Sequence, residues 1–491
     1  MSFKGNYIGG HFRKSAGATE CISEDPGNLD RPVGTFVFSS AADVEEAVAS
    51  AREGFSVWRE KELKTRDRSI VLFGKALKKR QEDLARLISR EMGKPLRDAV
   101  QEVDRMVERI TLARSEAARI SKAESFSIKE GLKGVLRYKP RGLLAIIGPF
   151  NFPGYIPNNQ ILTAILVGNS VLFKPSELTP FVGQFLAELW HEAALPKGVF
   201  NLVHGDGRTG KLLAVHEKIN GIIFTGSYGT GQKIREETVH QVGKLVALEM
   251  GGKNAAIISR HADCNSAVAD SLLGSFSISG QRCNATSRII LEKKIAKSFV
   301  SAFMASLKNL KIGYGFEAEV GMGPLVSRGA MEKYLSRTAL APSENFEVLK
   351  EAAPLQRDKR GYYVGPSVCL KEVKKGEALK GPYTEEEIFG PNVAMYVVDS
   401  LDEAIRVHNA SSYGLVASFY SDRRKDYEEV FRKLEVGLLN WNRATLFSSP
   451  RLPFGGVKRS GNHHPVGAFV PYLCTYPVAV LENRPLRRGR R

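Results

Sequence analysis

The sequence predicts an α/β fold built on a doubly wound parallel sheet, and two patterns within its 491 residues carry that expectation. From Leu143 onward, short and wholly apolar runs alternate with amphipathic helical stretches, as strands buried on both faces alternate with the helices that cover them. Before that, from Ala41 to about Ser121, apolar residues recur at three- and four-residue intervals, and the segment reads as helices. The length allows two or three domains.

Each element can be read in order. "AADVEEAVASAREGFSVWREK" and "QEDLARLISREMGK" are the clearest of the early helices. "SFSIKEGLKGVLRYKPRG" (125–142) is a strand–turn–strand insert, its apolar residues roughly alternating around Gly131 and Gly134. "LLAIIG" is a buried strand, "NQILTAILVGN" a helix, "SVLFKP" a strand and "PFVGQFLAELWHEAAL" a helix. The strand "VFNLVHG", the helix "RTGKLLAVHEKI", the strand "GIIFTGS", the helix "GTGQKIREETVH" and the strand "LVALEMG" follow. A second α/β segment begins near Gly251 and contains the helix "NSAVADSLLGSFSIS". "YLCTYPVAVLEN" reads as a last strand, expected to pair with the early insert or with another subunit. No internal repeat is present.

Composition narrows the class. Lysine plus arginine minus aspartate plus glutamate is 71 − 53 = +18. That charge is spread along the chain, apart from five arginines in "RPLRRGRR" (484–491). It reads as a solvated basic surface, compatible with acidic small molecules, and no nucleic-acid partner is expected. No apolar run approaches the ~20 residues that span a bilayer, so no membrane partner is expected. The N-terminal stretch lacks a signal-peptide core, and the five cysteines show no C-x-x-C spacing; a reduced, cytoplasmic protein is the expectation. His463 and His464 stand side by side without an H-E-x-x-H pattern, and no metal is expected.

Several residues are placed where chemistry happens, each with a plainer alternative. Cys283, in "SFSISGQRCNATSRI", is either a small buried apolar side chain or a nucleophile, with Gly280 letting the backbone approach a substrate. "FTGSYGTG" follows a strand and opens a helix, so its N–H groups suit a phosphate; its G-x-x-G-x-G order (Gly226, Gly229, Gly231) also suits an ordinary turn. In "LFKPSE", Lys174 and Glu177 sit at a strand's carboxyl end, as ligand residues or as surface loop. Glu249, in "LEMGGKN", is a general base if partly buried, or a helix cap. Asn151, in "GPFNFPGYIP", is a stiffly held amide donor or a turn asparagine.

Taken together, "PFNFP", "KPSE", "FTGS", "LEMGGKN", "GQRC", "EEIFGP" and "NWN…PFGG…SG" resemble the stations of the NAD(P)-dependent aldehyde dehydrogenase superfamily, over essentially the whole chain. The resemblance implies an NAD-binding domain (1–123 and 144–250), a catalytic domain (251–450) and oligomerisation strands (124–143 and 470–491) that pair across subunits in a homodimer or a dimer of dimers. It implies Cys283 as nucleophile, Glu249 as the base that hydrolyses a thioester, and the Asn151 side chain with the Cys283 N–H as oxyanion donors. It implies NAD as cofactor: Lys174 and Glu177 on the adenosine ribose, the loop Gly226, Ser227, Tyr228, Gly229, Thr230 and Gly231 on the pyrophosphate, and Glu387 on the nicotinamide ribose.

"FKPSELTP", "GLLNWN" and above all "SGNHHP" (460–465) further resemble the subfamily that oxidises N-succinylglutamate 5-semialdehyde in arginine catabolism. Glutamate or succinate semialdehyde is the next expectation, and a non-catalytic basic scaffold the last. Asn442, Arg443, Arg459 and Asn462 are the expected contacts to substrate carboxylates. His464 and Tyr155 depart from the subfamily pattern, which has arginine and histidine there.

Overall fold

A computed structural model describes residues 2–15 and 20–483; the arginine-rich tail lies outside the described residues. Four short strands come first: β1 (Asn6–Ile8), β2 (His11–Arg13), β3 (Glu20–Ser23) and β4 (Gly34–Val37). The periodic stretch then forms α1 (Ala41–Trp58), α2 (Leu63–Lys79), α3 (Gln81–Met92) and α4 (Leu96–Ile120). A capping box between Ser40 and Asp43 opens α1, and Gly93, in the left-handed region at φ +83°, closes α3. The insert is the hairpin β5 (Glu124–Lys129) and β6 (Leu132–Pro140).

The alternation that follows is β7 (Leu143–Ile147), α5 (Tyr155–Leu166), β8 (Ser170–Lys174), α6 (Pro180–Glu192), β9 (Phe200–Leu202), α7 (Gly207–Val215), β10 (Gly221–Gly226), α8 (Tyr228–Thr238) and β11 (Leu245–Met250). These strands are parallel, in the order β11-β10-β7-β8-β9, with β1 and β2 added antiparallel at the β9 edge. The chain steps outward from β7 to β9 and returns to β10 on the other side of β7. The winding therefore reverses between β7 and β10, where open α/β sheets leave a crevice at the strands' carboxyl ends.

Burial explains why "LLAII" carries no polar residue. Leu144 and Ile146 pack on one face among α2–α6, while Leu143, Ala145 and Ile147 pack on the other with α1. A second sheet contains β12 (Ala255–Ile258), β13 (Arg288–Glu292), β14 (Glu347–Lys350), β15 (Ser367–Glu372), β16 (Asn392–Val398), β18 (Val416–Tyr420) and β19 (Leu438–Trp441), with the two-residue β17 (Tyr413–Gly414) outside it. Its order is β14-β15-β16-β13-β12-β18-β19, parallel except for β14. Helix α9 (Cys264–Phe276) connects β12 to β13.

The last strand, Thr475–Asn483, pairs antiparallel with β6 of the early insert, one of its two expected partners, from Thr475 opposite Pro140 to Asn483 opposite Leu132. Two expectations need correcting. The expected first residues of that strand form a helical turn instead, Val470–Leu473, with Pro471 in that first turn, where its missing N–H is not needed. Helix α5 starts at Tyr155, four residues earlier than the sequence reading, because its first N–H groups are capped from elsewhere in the chain.

Candidate active site

The loop after β7 presents Asn151. The Asn151 Oδ1 accepts the Phe152 N–H at 3.0 Å, which leaves the side-chain NH2 as the outward donor. Lys94 Nζ donates to the Asn151 backbone carbonyl at 2.6 Å. Lys94 is fully buried and ion-paired with Glu102 at 2.7 Å. The other Glu102 oxygen accepts the N–H groups of Gly154 (2.9 Å) and Tyr155 (3.0 Å), and so caps α5. One buried ion pair therefore fixes both ends of the loop. Neither Lys94 nor Glu102 was singled out in the sequence; no local pattern links them to a loop more than fifty residues away.

Cys283 follows a strained turn. After α9, Ile278 (φ +53°), Ser279 (φ +56°) and Gly280 (φ +67°) are all left-handed. For a β-branched residue such as Ile278 this is costly, about 1–2 kcal/mol. The turn is held by its neighbours: Ser279 Oγ donates to the Gly323 carbonyl at 2.8 Å, and Gln281 Oε1 accepts the Val326 N–H at 3.0 Å. A β-carbon on Gly280 would lie 2.2 Å from the Gly390 carbonyl oxygen. Gly280 thus lets two backbones meet, rather than giving a substrate room. Asn254 completes the clamp: its NH2 donates to the carbonyls of Cys283 (2.7 Å) and Ala285 (2.9 Å), and its Oδ1 accepts the Val416 N–H at 3.0 Å. Asn254 closes "LEMGGKN", the one sign by which the sequence marks it.

The two loops touch. Phe152 and Ile278 share one apolar cluster, and the Arg282 guanidinium lies over the Phe152 ring, 5.1 Å from its centroid. Cys283 itself is half-buried. Glu249, at the end of β11, is buried, and neither of its carboxylate oxygens has a formed hydrogen bond. Burial raises the Glu249 pKa to about 8, with the nearby Glu387 carboxylate adding to the rise; the Cys283 thiol lies close enough to oppose it, short of a well-formed bond. Burial also raises the Cys283 thiol well above its ordinary value, reinforced by Glu249 and opposed by Arg282. At neutral pH the pair is poised to hold protons: a thiol beside a largely protonated carboxyl.

The expected cofactor residues lie along the carboxyl edge of the first sheet. Lys174 closes β8, and its buried Nζ donates to the carbonyls of Pro175 (2.8 Å) and Gly205 (2.6 Å), with Glu177 3.7 Å away. One strand beyond β7, Ser227 caps α8: its Oγ accepts the Thr230 N–H at 3.3 Å and lies 3.0 Å from the Thr230 hydroxyl. Ser227 and Gly229 are exposed, and nothing lies within 4 Å of where a Gly229 β-carbon would point, so the helix N-terminus opens outward. Gly231 faces inward, where a β-carbon would strike Met250 at 2.3 Å; its glycine serves the packing of α8. Tyr228 packs edge-on against Tyr413 and carries Arg459 over its ring at 5.0 Å. Glu387 Oε1 accepts the Gly252 N–H at 2.9 Å, an approach that only a glycine at 251 allows, and burial raises its pKa to about 7. Glu387 thus joins Glu249 and Cys283, while Lys174 and Glu177 stand apart, at the end of another strand.

The expected carboxylate contacts have partners within the chain. The Asn462 side chain is spent on β11, accepting the Leu248 N–H (2.7 Å) and donating to the Val246 carbonyl (3.1 Å). Asn442 is bonded to the Ser421 backbone through both ends of its amide. Arg443 stacks on Phe447 at 4.3 Å. A cavity of about 580 Å³ instead adjoins the nucleophile loop and is lined by Arg97, Arg105 and Arg282 beside Phe152, Ile278 and Phe447.

With this geometry in hand, comparison with known proteins is direct. Residues 12–475 match the aldehyde dehydrogenase family. The N-succinylglutamate 5-semialdehyde dehydrogenase of Serratia proteamaculans (strain 568) is 32% identical over 498 residues, covering 99% of this chain and 97% of its own. That of Chromobacterium violaceum is 35% identical over 454 residues, 90% of each chain. Among solved structures, an NAD-dependent aldehyde dehydrogenase from Sinorhizobium meliloti superposes with a TM-score of 0.93 at 29% identity, covering 100% of this chain and 97% of its own. Betaine aldehyde dehydrogenase from Staphylococcus aureus, in complex with NAD+, gives 0.92 at 27% identity, covering 100% and 97%. The chain belongs to the aldehyde dehydrogenase family.

Proposed function

We propose that this chain is an NAD-dependent aldehyde dehydrogenase that oxidises N-succinyl-L-glutamate 5-semialdehyde to N-succinyl-L-glutamate, a step of arginine catabolism, and releases the free acid. The observation that carries the chemistry is Glu249: a buried carboxyl without a formed hydrogen bond, electrostatically coupled to a half-buried thiol. The substrate rests on the two relatives of that name and on the arginine-lined cavity.

Cys283 loses its proton to solvent, with Arg282 the nearby charge that favours the thiolate, and attacks the aldehyde carbon. The Asn151 NH2 and the Cys283 N–H receive the oxyanion; one such donor is worth about 3–4 kcal/mol. The residues present fit a dinucleotide. Its pyrophosphate suits the open N-terminus of α8 at Ser227 and Gly229, and its two riboses suit Lys174 with Glu177 and Glu387. When bound, NAD+ supplies the acceptor for the hydride that leaves the carbon held on Cys283. A thioester then remains on Cys283, and Glu249, in its ionised form, deprotonates the water that hydrolyses it.

A reducing cytoplasm suits a thiol nucleophile. The fully exposed edge strand β5, with Phe126 and Ile128 outward, suits docking to a second copy in a dimer or a dimer of dimers. The test of the substrate is NADH formation with N-succinylglutamate semialdehyde against glutamate, succinate and aliphatic aldehydes. An advantage of about a hundredfold in kcat/KM for the succinylated substrate supports the reading, and equality with glutamate or succinate semialdehyde moves the assignment to those.

A further inference from the structure

The cavity that adjoins the nucleophile loop is unbalanced in charge. Around it stand four cations, Lys94, Arg97, Arg105 and Arg282, against two carboxylates, Asp98 and Glu102. Lys94 and Glu102 neutralise each other at 2.7 Å, which leaves three guanidinium groups facing Asp98. Asp98 pairs with Arg97 at 3.9 Å, and burial raises its carboxyl against the pull of the surrounding cations. Arg282, next in sequence to the nucleophile, makes one side-chain hydrogen bond among the described residues, to Asn284 Oδ1 at 3.2 Å. Neither Arg282 nor Arg105 forms an ion pair with a carboxylate among the described residues. Burial and the proximity of Arg105 together push the Arg282 guanidinium down to about 10. Arg105 and Arg282 thus line one cavity together with the apolar side chains of Phe152, Ile278 and Phe447. An anion placed between the two guanidinium groups receives two planar forks.

We propose that Arg105 and Arg282 form the carboxylate-binding pair that selects aldehydes bearing an acid group. The pair deepens the acidic-semialdehyde reading and rests on it. Arg282 and Ile278 bring the nucleophile loop to the cavity wall, so an acid group held there lies against the loop that carries Cys283. Arg443 and Arg459, the cations the sequence suggested, face Phe447 and Tyr228 instead.

The test uses the full-length enzyme with R105M and R282M, and the lysine replacements R105K and R282K. NADH formation is followed with N-succinylglutamate semialdehyde and with hexanal. The acid-to-neutral ratio of kcat/KM is expected to fall about a hundredfold in each methionine variant and to recover in part with lysine. Calorimetric binding of the dicarboxylate product, N-succinylglutamate, is expected to weaken in parallel in R105M, whose exposed position on α4 spares the fold. Ratios within threefold of the parent enzyme in R105M and R282M, with product still bound, overturn the pair while leaving the acidic substrate in place. A parent enzyme that does not prefer the acidic aldehyde over hexanal overturns both.

Discussion

The two loops that meet at Cys283 are held by opposite means. The Asn151 loop hangs on a buried ion pair: Lys94 grips its carbonyl and Glu102 caps the helix it leads into. The Cys283 loop hangs on neutral groups, the amide of Asn254 and the hydroxyl of Ser279, around a left-handed turn. The difference has a chemical reason. A charge anchored on the Cys283 backbone would act on the thiol directly. With neutral anchors, Glu249, Arg282 and Glu387 are the charged groups left to set its proton affinity. The oxyanion loop needs rigidity alone, and a charged clamp supplies it.

Breaking each side separately sharpens this comparison. The largest effect is expected from Cys283→Ala, which removes the nucleophile: turnover should fall by roughly four orders of magnitude while NAD+ still binds, as read by fluorescence titration. A residual rate within tenfold of the parent would remove Cys283 from the chemistry. Next is Glu249→Gln, expected to slow thioester hydrolysis by about 10²–10⁴. The parent enzyme should also gain with pH. With the Glu249 pKa at about 8, roughly a tenth of it is ionised at pH 7 and nine-tenths at pH 9, so a rate limited by this base rises roughly tenfold over that range. The Gln variant should lose that limb of the pH profile.

Third comes Lys94→Met. It leaves Glu102 charged, buried and unpaired, so a loss of about 3–5 kcal/mol in urea unfolding is expected. Asn254→Ala, the neutral counterpart, should lose less, about 1–3 kcal/mol, and lower kcat as the Cys283 loop loosens. Equal losses from the two substitutions would erase the distinction between charged and neutral clamps.

The sequence made the sheet legible because each parallel strand is buried on both faces, so "LLAII" and "GIIF" stand out as apolar runs bounded by glycines. Place at strand and helix ends left Cys283, Glu249 and Asn151 each with a plainer alternative, and the run of family motifs is what singled them out. What lay beyond reach was pairing at long range. Glu102 caps α5 across fifty-two residues, so the true start of that helix carried no local signal. The same applies to Arg105 and Arg282, which line one cavity only because α4 folds back on the nucleophile loop. The amides of Asn462 and Asn442 are committed to backbone partners that no local pattern announces.

The most direct test of the central claim is to trap the covalent intermediate. Glu249→Gln would be mixed with NAD+ and the aldehyde, quenched in acid within a turnover, and the peptide containing Cys283 weighed by mass spectrometry. An acyl group on Cys283, approaching one per chain as NADH appears, is the expected result. NADH formed while Cys283 stays unmodified would contradict it.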